Sequence, residues 1–448
     1  MRDPIREFSR ETFAGRREAA MASLEDAVMI LPSSPVRFRS RDTEYRYRPD
    51  SELFYLTGWT EPEAVAVFSG GPGEGGGTFI LFVPERDPRK ELWTGVHMGP
   101  EEALEASGAQ ETFPLSELGR RLPKLLEKPR KIYFRPGGHP RLDGMVVQAM
   151  GDARTRGPRK GTGPRALVDP GEILDPLRMR KDPQEIRAIR AAAELTVSAF
   201  REAMGGIRPG TGEWEVESLL EAAIRRGGGS GPAFPTIAAS GANACVLHYT
   251  ANRARIPQSG LVLLDGGAEL GLYAGDVTRT FPVDGPLQGP GLDVYRVVLE
   301  AQEAAIAQVR PGNPVSRVHE AAAAVITRGL MDLGVLSGER ESLIQEEAWK
   351  PFFPHQTSHW LGLDVHDVGD YARGGQATLL APGMVLTVEP GLYLSPEKEE
   401  IPSALKGIGI RIEDDILVTE EGFENLTGSL PRTPEALEAL VGSGGVPR

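Results

Sequence analysis

Residues 265–276 read DGGAELGLYAGD, a run in which two aspartates enclose glycines and one further charge, Glu269. The flanking residues, LVLL before and VTRTFPV after, are apolar or β-branched apart from Arg279, so strands are expected at 261–267 and 272–282. The simplest way to join two such strands is an antiparallel hairpin. On one straight strand Asp265 and Asp276 would point to opposite faces, because side chains alternate with period 2. A turn at Leu270-Gly271 instead sets Glu269 opposite Leu272, Ala268 opposite Tyr273 and Asp265 opposite Asp276. Directly opposed residues share a face with Cβ atoms roughly 4.5–5.5 Å apart, and like charges that close repel. A cation between them relieves the repulsion, and a metal ion is the obvious candidate if the chain supplies more ligands.

Three other segments carry ionisable groups in constrained settings. LTVEPGLYL puts Glu389 in an apolar strand followed at once by Pro-Gly. GIGIRIEDDILV alternates strictly, with Ile408, Ile410 and Ile412 on one face and Gly409, Arg411 and Glu413 on the other. HQTSHWLGLDVHD holds His355, His359 and His366, three of the seven histidines. Taken singly, each has a plain structural explanation: a solvated glutamate, a satisfied histidine, or glycines that allow tight packing. Together, four carboxylates and a histidine make a poor apolar core, yet each sits in an apolar strand or a glycine-rich segment. A polar site explains the set better than several independent accidents.

The rest of the chain bounds the setting of that site. At 448 residues it exceeds one typical core, which predicts two domains. A net charge of −13 argues against nucleic acid or an anionic membrane as partner. Cys245 is the single cysteine, which excludes an intrachain disulfide and a thiolate zinc site and suits a reducing, cytoplasmic compartment. No run approaches the roughly 18 apolar residues of a membrane span, and the charged start MRDPIREFSRETFAGRREAAM lacks a signal-peptide core.

DAVMILP, AVAVFSGG, GTFILFVPERD and KIYFRPGG read as strands, separated by helical stretches such as PEEALEASG and LSELGRRLPKLLEK. This alternation predicts an α/β N-terminal domain. The segment 151–171, rich in Gly, Pro and Arg, reads as irregular connection. A capped helix then begins near Asp182, with Pro183 in its first turn and Glu185 completing a capping box. A boundary near residue 176 therefore divides domains of 1–176 and 177–448. In the second, helices at 184–204, 214–226, 292–309 and 315–334 alternate with strands at 261–267, 272–282, 385–394 and 407–418, which predicts an α+β fold.

The segments LLDGGAELGLYAGDVTRTFPV, SHWLGLDVHD, LTVEPGLY and GIGIRIEDDILVT resemble the five-ligand signature of the metal-dependent pita-bread peptidases. Within them the chain resembles the Xaa-Pro aminopeptidase (aminopeptidase P) family, a likeness that extends to SGANACVLHYTAN and ENLTGSLPRTPEALEAL and covers 177–448. The N-terminal half resembles the creatinase/aminopeptidase P N-terminal domain more loosely, through DSELFYLTGWTEPEAV and ELWTGVHMG, with Asp50 where Asn is usual and His97 where Arg is common.

The resemblance implies a C-terminal pita-bread catalytic domain preceded by a smaller α/β domain. It makes Asp265, Asp276, His359, Glu389 and Glu413 the ligands of two divalent ions, with Asp276 and Glu413 bridging them. Four carboxylates with one imidazole suit Mn²⁺, and less selectively Co²⁺, Zn²⁺ or Mg²⁺. By the same resemblance, hydroxide shared by the ions attacks the carbonyl before proline, and Glu389 passes the water's proton to the leaving nitrogen. His366 is expected to stabilise the oxyanion. His248, a further catalytic candidate, lines the proline pocket with His355, and Arg411 orients a ligand or a substrate carboxyl group. Trp93 is expected either in the core or, as in the family, at a neighbouring subunit's site within a homodimer or homotetramer. The implied substrates are peptides beginning Xaa-Pro. Prolidase, restricted to Xaa-Pro dipeptides, is the nearest rival; a methionine aminopeptidase and a non-catalytic binding protein of the same fold rank lower.

Overall fold

The computed structural model describes residues 8–70, 77–160 and 162–443, which pack as two compact units, Phe8–Arg178 and a second beginning at Met179. The first unit is built on a six-stranded mixed sheet. Its strands lie in the order Glu111–Pro114, Thr78–Val83, Val65–Ser69, Ala27–Pro32, Lys131–Tyr133 and Ala166–Val168. Val65–Ser69 runs antiparallel to both of its neighbours, and the other pairs are parallel. The central strands are buried apolar runs, Val28–Leu31 and Phe79–Val83, as expected where both faces of a sheet are covered.

One sequence expectation fails in this unit. The Gly- and Arg-rich stretch after residue 150 is not irregular: a helix runs from Pro140 to Lys160. Glycine costs only about 1 kcal/mol in a helix interior, and Leu142 and Val146 are buried against the sheet. Packing of that apolar face outweighs the local penalty. Asp50, the departure from Asn, caps the helix Ser51–Thr57 by accepting from the Leu53 N–H at 2.8 Å. Aspartate and asparagine are near equivalent in that role.

In the second unit two helix pairs, Pro183–Gly206 with Glu213–Arg226 and Gly289–Ile306 with Ser316–Asp332, pack over short antiparallel sheets. The expected capping box is present: Asp182 accepts from the Gln184 and Glu185 N–H groups, and Glu185 accepts from the Asp182 N–H. Glu185 also accepts from the Tyr273 hydroxyl at 3.0 Å, tying this helix start to the hairpin.

The hairpin forms with a register two residues from the expected one. Asp265 faces Thr278 rather than Asp276, Glu269 faces Ala274, and Leu270 faces Tyr273. The loop is Gly271-Leu272, with φ of 60° and 69°. Two-residue hairpin loops that match strand twist need positive φ at both central positions, and Gly271 provides one without strain. A shift of two keeps every side chain on its face, so Asp276 becomes the diagonal rather than the direct neighbour of Asp265. The flanking glycines are required: a Cβ on Gly267 would lie 1.6 Å from the Gly275 carbonyl oxygen, and one on Gly275 would lie 2.6 Å from Thr196 Oγ1.

Candidate active site

A cleft of about 900 Å³ in the second unit is lined by nine of the residues singled out in the sequence: Asp265, Asp276, His359, Glu389, Glu413, His248, His355, His366 and Arg411. Asp265 lies within strand Leu261–Gly266, and the other three carboxylates reach the cleft from places where strands are interrupted. Asp276 lies between strands Tyr273–Ala274 and Val277–Pro282, Glu389 directly after Val385–Val388, and Glu413 between Ile408–Arg411 and Asp414–Val418. Each break turns the local backbone N–H to another segment. The Asp276 N–H donates to Asp415 Oδ2 at 3.1 Å, that of Glu389 to the Thr357 carbonyl at 2.8 Å, and that of Glu413 to the Thr278 carbonyl at 3.0 Å.

Asp276, His359 and Glu413 each offer one ligand atom, all within 4.8 Å of one another. His359 Nδ1 lies 3.1 Å from the Trp360 carbonyl, to which it donates, leaving Nε2 free to face Asp276 Oδ2 at 3.4 Å and Glu389 Oε1 at 3.8 Å. A ring held this way presents Nε2 as a ligand atom. Asp265 Oδ1 and Asp276 Oδ1 are buried without a hydrogen-bond partner among the described residues. Burial first, and then the charges of Asp265, Asp415 and Glu389, push Asp276 well above the usual carboxylate range. Glu413 is raised by burial first and then by the charges of Asp276, Glu389 and Asp265, and burial lifts Glu389 to about 7 against the pull of His359 and Arg411. Crowded, partly orphaned carboxylates beside a correctly oriented imidazole fit divalent cations.

Arg411 is buried and donates from Nη2 to Asp265 Oδ2, from Nε to Thr278 Oγ1 at 3.2 Å and from Nη1 to Tyr393 Oη at 2.9 Å. Of the two roles expected for it, this geometry serves the orientation of Asp265. The Tyr393 hydroxyl lies 2.7 Å from His355 Nε2, and His355 Nδ1 donates to the Gln356 carbonyl at 2.8 Å. Both nitrogens of His355 are thus engaged, and it meets the cleft with its ring. Burial, with Arg411 nearby, lowers its pKa to about 3, so the ring is neutral. His366 stands T-shaped against His359 at 4.4 Å and has its pKa lowered by burial and by His359.

His248 lies in the loop between strands Ile237–Ser240 and Leu261–Gly266, and one buried carboxylate organises that loop. Glu213 accepts from the Ser240 N–H and hydroxyl, the Asn243 amide, the Tyr249 hydroxyl and the Ala254 N–H, at 2.8–3.0 Å. Trp93 belongs to the first unit, on helix Pro88–Thr94, where it is 85% exposed beside exposed Leu92 and Val96. It is not a core residue of this chain.

Sequence reasoning passed over several groups that shape the site. Thr278 donates to Glu413 Oε2 at 2.6 Å, and alternation from Asp276 would have found it. Tyr393 lies in the quoted PGLY run without any sign of its link to His355. Glu213 and His319, single polar residues on helices, carry no sequence signal that separates them from solvated positions.

Residues 187–420 match metallopeptidase family M24, and residues 13–133 match the N-terminal domain of aminopeptidase P. The chain is 39% identical to a Xaa-Pro aminopeptidase of Escherichia coli over 97% of this chain and 98% of that one. It is 36% identical to one from Haemophilus influenzae over 96% and 97%. Among solved structures, zinc-substituted E. coli aminopeptidase P in complex with product superposes with a TM-score of 0.92 at 40% identity, covering 97% of this chain and 98% of the other. An aminopeptidase of Pseudomonas aeruginosa superposes at 0.91 with 41% identity over the same shares.

Proposed function

Because the chain belongs to metallopeptidase family M24, and within it to the Xaa-Pro aminopeptidases, we propose that its cleft releases the N-terminal residue from peptides whose second residue is proline. The protein is a hydrolase with the two-domain aminopeptidase P fold, in which the chemistry belongs to the second domain of 177–448. Asp265, Asp276, His359, Glu389 and Glu413 would hold two divalent ions, and Asp276 and Glu413 are the residues that would serve both. The observation that carries this is the meeting of four carboxylates and His359 in one cleft, with two aspartate oxygens that have no hydrogen-bond partner among the described residues. The oxygen-rich donor set favours Mn²⁺, with Co²⁺ and Zn²⁺ as alternatives.

When bound, the ions supply a water acidified enough to act as nucleophile near neutral pH and polarise the scissile carbonyl. The protein's own groups do the rest. Glu389, held above the ordinary carboxylate range by burial, takes a proton and delivers it to the proline nitrogen as that bond breaks. Proton delivery matters here, because an Xaa-Pro bond is a tertiary amide whose leaving group is a secondary amine. His366, exposed to the cleft beside His359, donates to the developing oxyanion. The ring face of His355, backed by Phe353 at 4.9 Å, and His248 pack against the proline ring. Arg411 fixes the orientation of Asp265.

Hydrolysis of Gly-Pro and of a Xaa-Pro-Xaa tripeptide, compared side by side with Mn²⁺, tests the substrate class. Tripeptide cleavage with little on the dipeptide is expected; cleavage of the dipeptide alone would make the enzyme a prolidase.

The exposed patch of Leu92, Trp93 and Val96 supports assembly as a homodimer or homotetramer in which Trp93 serves a neighbouring subunit's substrate. Trp93→Ala is then expected to raise KM for long peptides several-fold, and unchanged kinetics would remove Trp93 from the site. Among the described residues no helix is long and apolar enough to cross a membrane. The lone cysteine and the bacterial relatives support a cytoplasmic location, which cell fractionation checks: recovery outside the cytosol would contradict it.

A further inference from the structure

The reaction above leaves one cleft histidine unused. His319 lies in the first turn of helix Ser316–Asp332 and lines the cleft together with Val315 and Ser316. Trp349, edge-on at 5.1 Å, and Phe353, at 5.5 Å, hold its ring. Phe353 also meets His355 at 4.9 Å, so His319 stands one aromatic ring away from the wall expected to receive proline. The Thr357 backbone N–H donates to His319 Nδ1 at 3.2 Å, and the Thr357 hydroxyl lies 2.9 Å from the same nitrogen.

A ring nitrogen that accepts a backbone N–H carries no proton, so the proton of the neutral ring is on Nε2. Burial lowers the pKa of His319, which keeps the ring neutral at physiological pH. Among the described residues Nε2 has no hydrogen-bond partner. His355 cannot serve instead, because Tyr393 and the Gln356 carbonyl occupy both of its nitrogens. The cleft wall beside the proline position therefore carries an oriented, neutral N–H that no described residue receives.

We propose that His319 donates from Nε2 to a main-chain carbonyl of the bound peptide on the C-terminal side of the scissile bond, making it a specificity-determining residue for that part of the substrate. This rests on the peptidase assignment of the cleft. A neutral N–H needs no charged partner, so the amide carbonyl of a peptide chain suffices as its acceptor. A Xaa-Pro-Xaa peptide offers such an amide carbonyl at its proline.

Two substitutions separate this role from simple anchoring of Thr357. His319→Asn keeps an acceptor near the Nδ1 position and removes the Nε2–H; His319→Gln reaches a donor to the Nε2 position and removes the acceptor. With the metal-loaded enzyme and a Xaa-Pro-Xaa tripeptide, the Asn variant is expected to raise KM about five- to tenfold, the size of one hydrogen bond, with kcat within about twofold. The Gln variant should recover most of that loss. An unchanged KM in the Asn variant, a loss in kcat alone, or a Gln variant no better than the Asn variant overturns the proposal. A loss in kcat alone would mean that His319 acts through Thr357, whose carbonyl accepts the Glu389 N–H. If the Asn variant fails to fold, the Gln variant decides: a near-normal KM supports the proposal and a raised one overturns it. A wild-type enzyme that cleaves no Xaa-Pro peptide would overturn the peptidase assignment itself.

Discussion

Glu389→Gln is expected to lower kcat for a Xaa-Pro-Xaa peptide by at least about a thousandfold, while the protein stays folded. Positioned general acid–base groups contribute roughly 10²- to 10⁴-fold on their own, and Glu389 is proposed as a metal ligand as well. Its carboxylate lies 3.8 Å from His359 Nε2 and 3.7 Å from His355 Nδ1, so an amide of the same shape fits the space but carries no proton between water and leaving nitrogen. The fold should not suffer, and the sign follows from the shift. Burial raises Glu389 to about 7 in the metal-free protein, above its value in an unfolded chain. The folded state therefore binds the extra proton, and the associated stability, present at low pH, is lost as pH rises through about 7. The chelated wild-type protein should thus lose thermal stability between pH 5 and pH 8, and the Gln variant should lose less of it. A Gln variant that retained more than a tenth of wild-type kcat would remove Glu389 from the chemistry. Thermal scans of both chelated proteins test the electrostatic account separately.

Asp276→Asn should act on the metal itself. Asp276 is buried, its Oδ1 has no hydrogen-bond partner among the described residues, and its other oxygen faces His359 Nε2 at 3.4 Å. Exchange for asparagine removes a full negative charge and one oxygen from a ligand proposed to serve both ions. Loss of a group that only orients a ligand costs about 10- to 100-fold in metal affinity, so loss of a shared ligand should exceed that range. The variant is expected to bind fewer than two ions per chain at micromolar Mn²⁺ and to lose at least about a thousandfold in kcat. Full metal occupancy in the Asn variant would count against Asp276 as a shared ligand.

Much of this site could be read from the sequence because it combines ionisable groups with a strand pattern that otherwise buries apolar ones. Asp265, Asp276, Glu389 and Glu413 stand out in runs of Leu, Val and Ile, and the period-2 alternation that puts Arg411 and Glu413 on one face holds in the cleft. Register was less legible. The apolar pattern is equally satisfied by hairpins offset by two residues, and only the positive φ of both Gly271 and Leu272 selects the observed one. The helix across 151–160 was hidden because its stabilisation comes from Leu142 and Val146 against the sheet, outside the glycine-rich stretch itself. The least legible parts are contacts between residues far apart in sequence. Glu213 reaches Ala254 across forty-one positions, and His319 reaches Thr357 across thirty-eight. No local pattern in a single sequence records such pairings, since each residue taken alone looks like a solvated helix position.

The central claim is that a pair of divalent ions in this cleft drives release of the residue before proline. It is tested most directly by titrating chelated protein with Mn²⁺ while following release of the N-terminal residue from a Xaa-Pro-Xaa tripeptide. No release without metal, and a rise to a plateau at two ions per chain, is the expected result. Activity that persists after complete chelation, or a protein that binds Mn²⁺ at this site and releases nothing from the tripeptide, would contradict it.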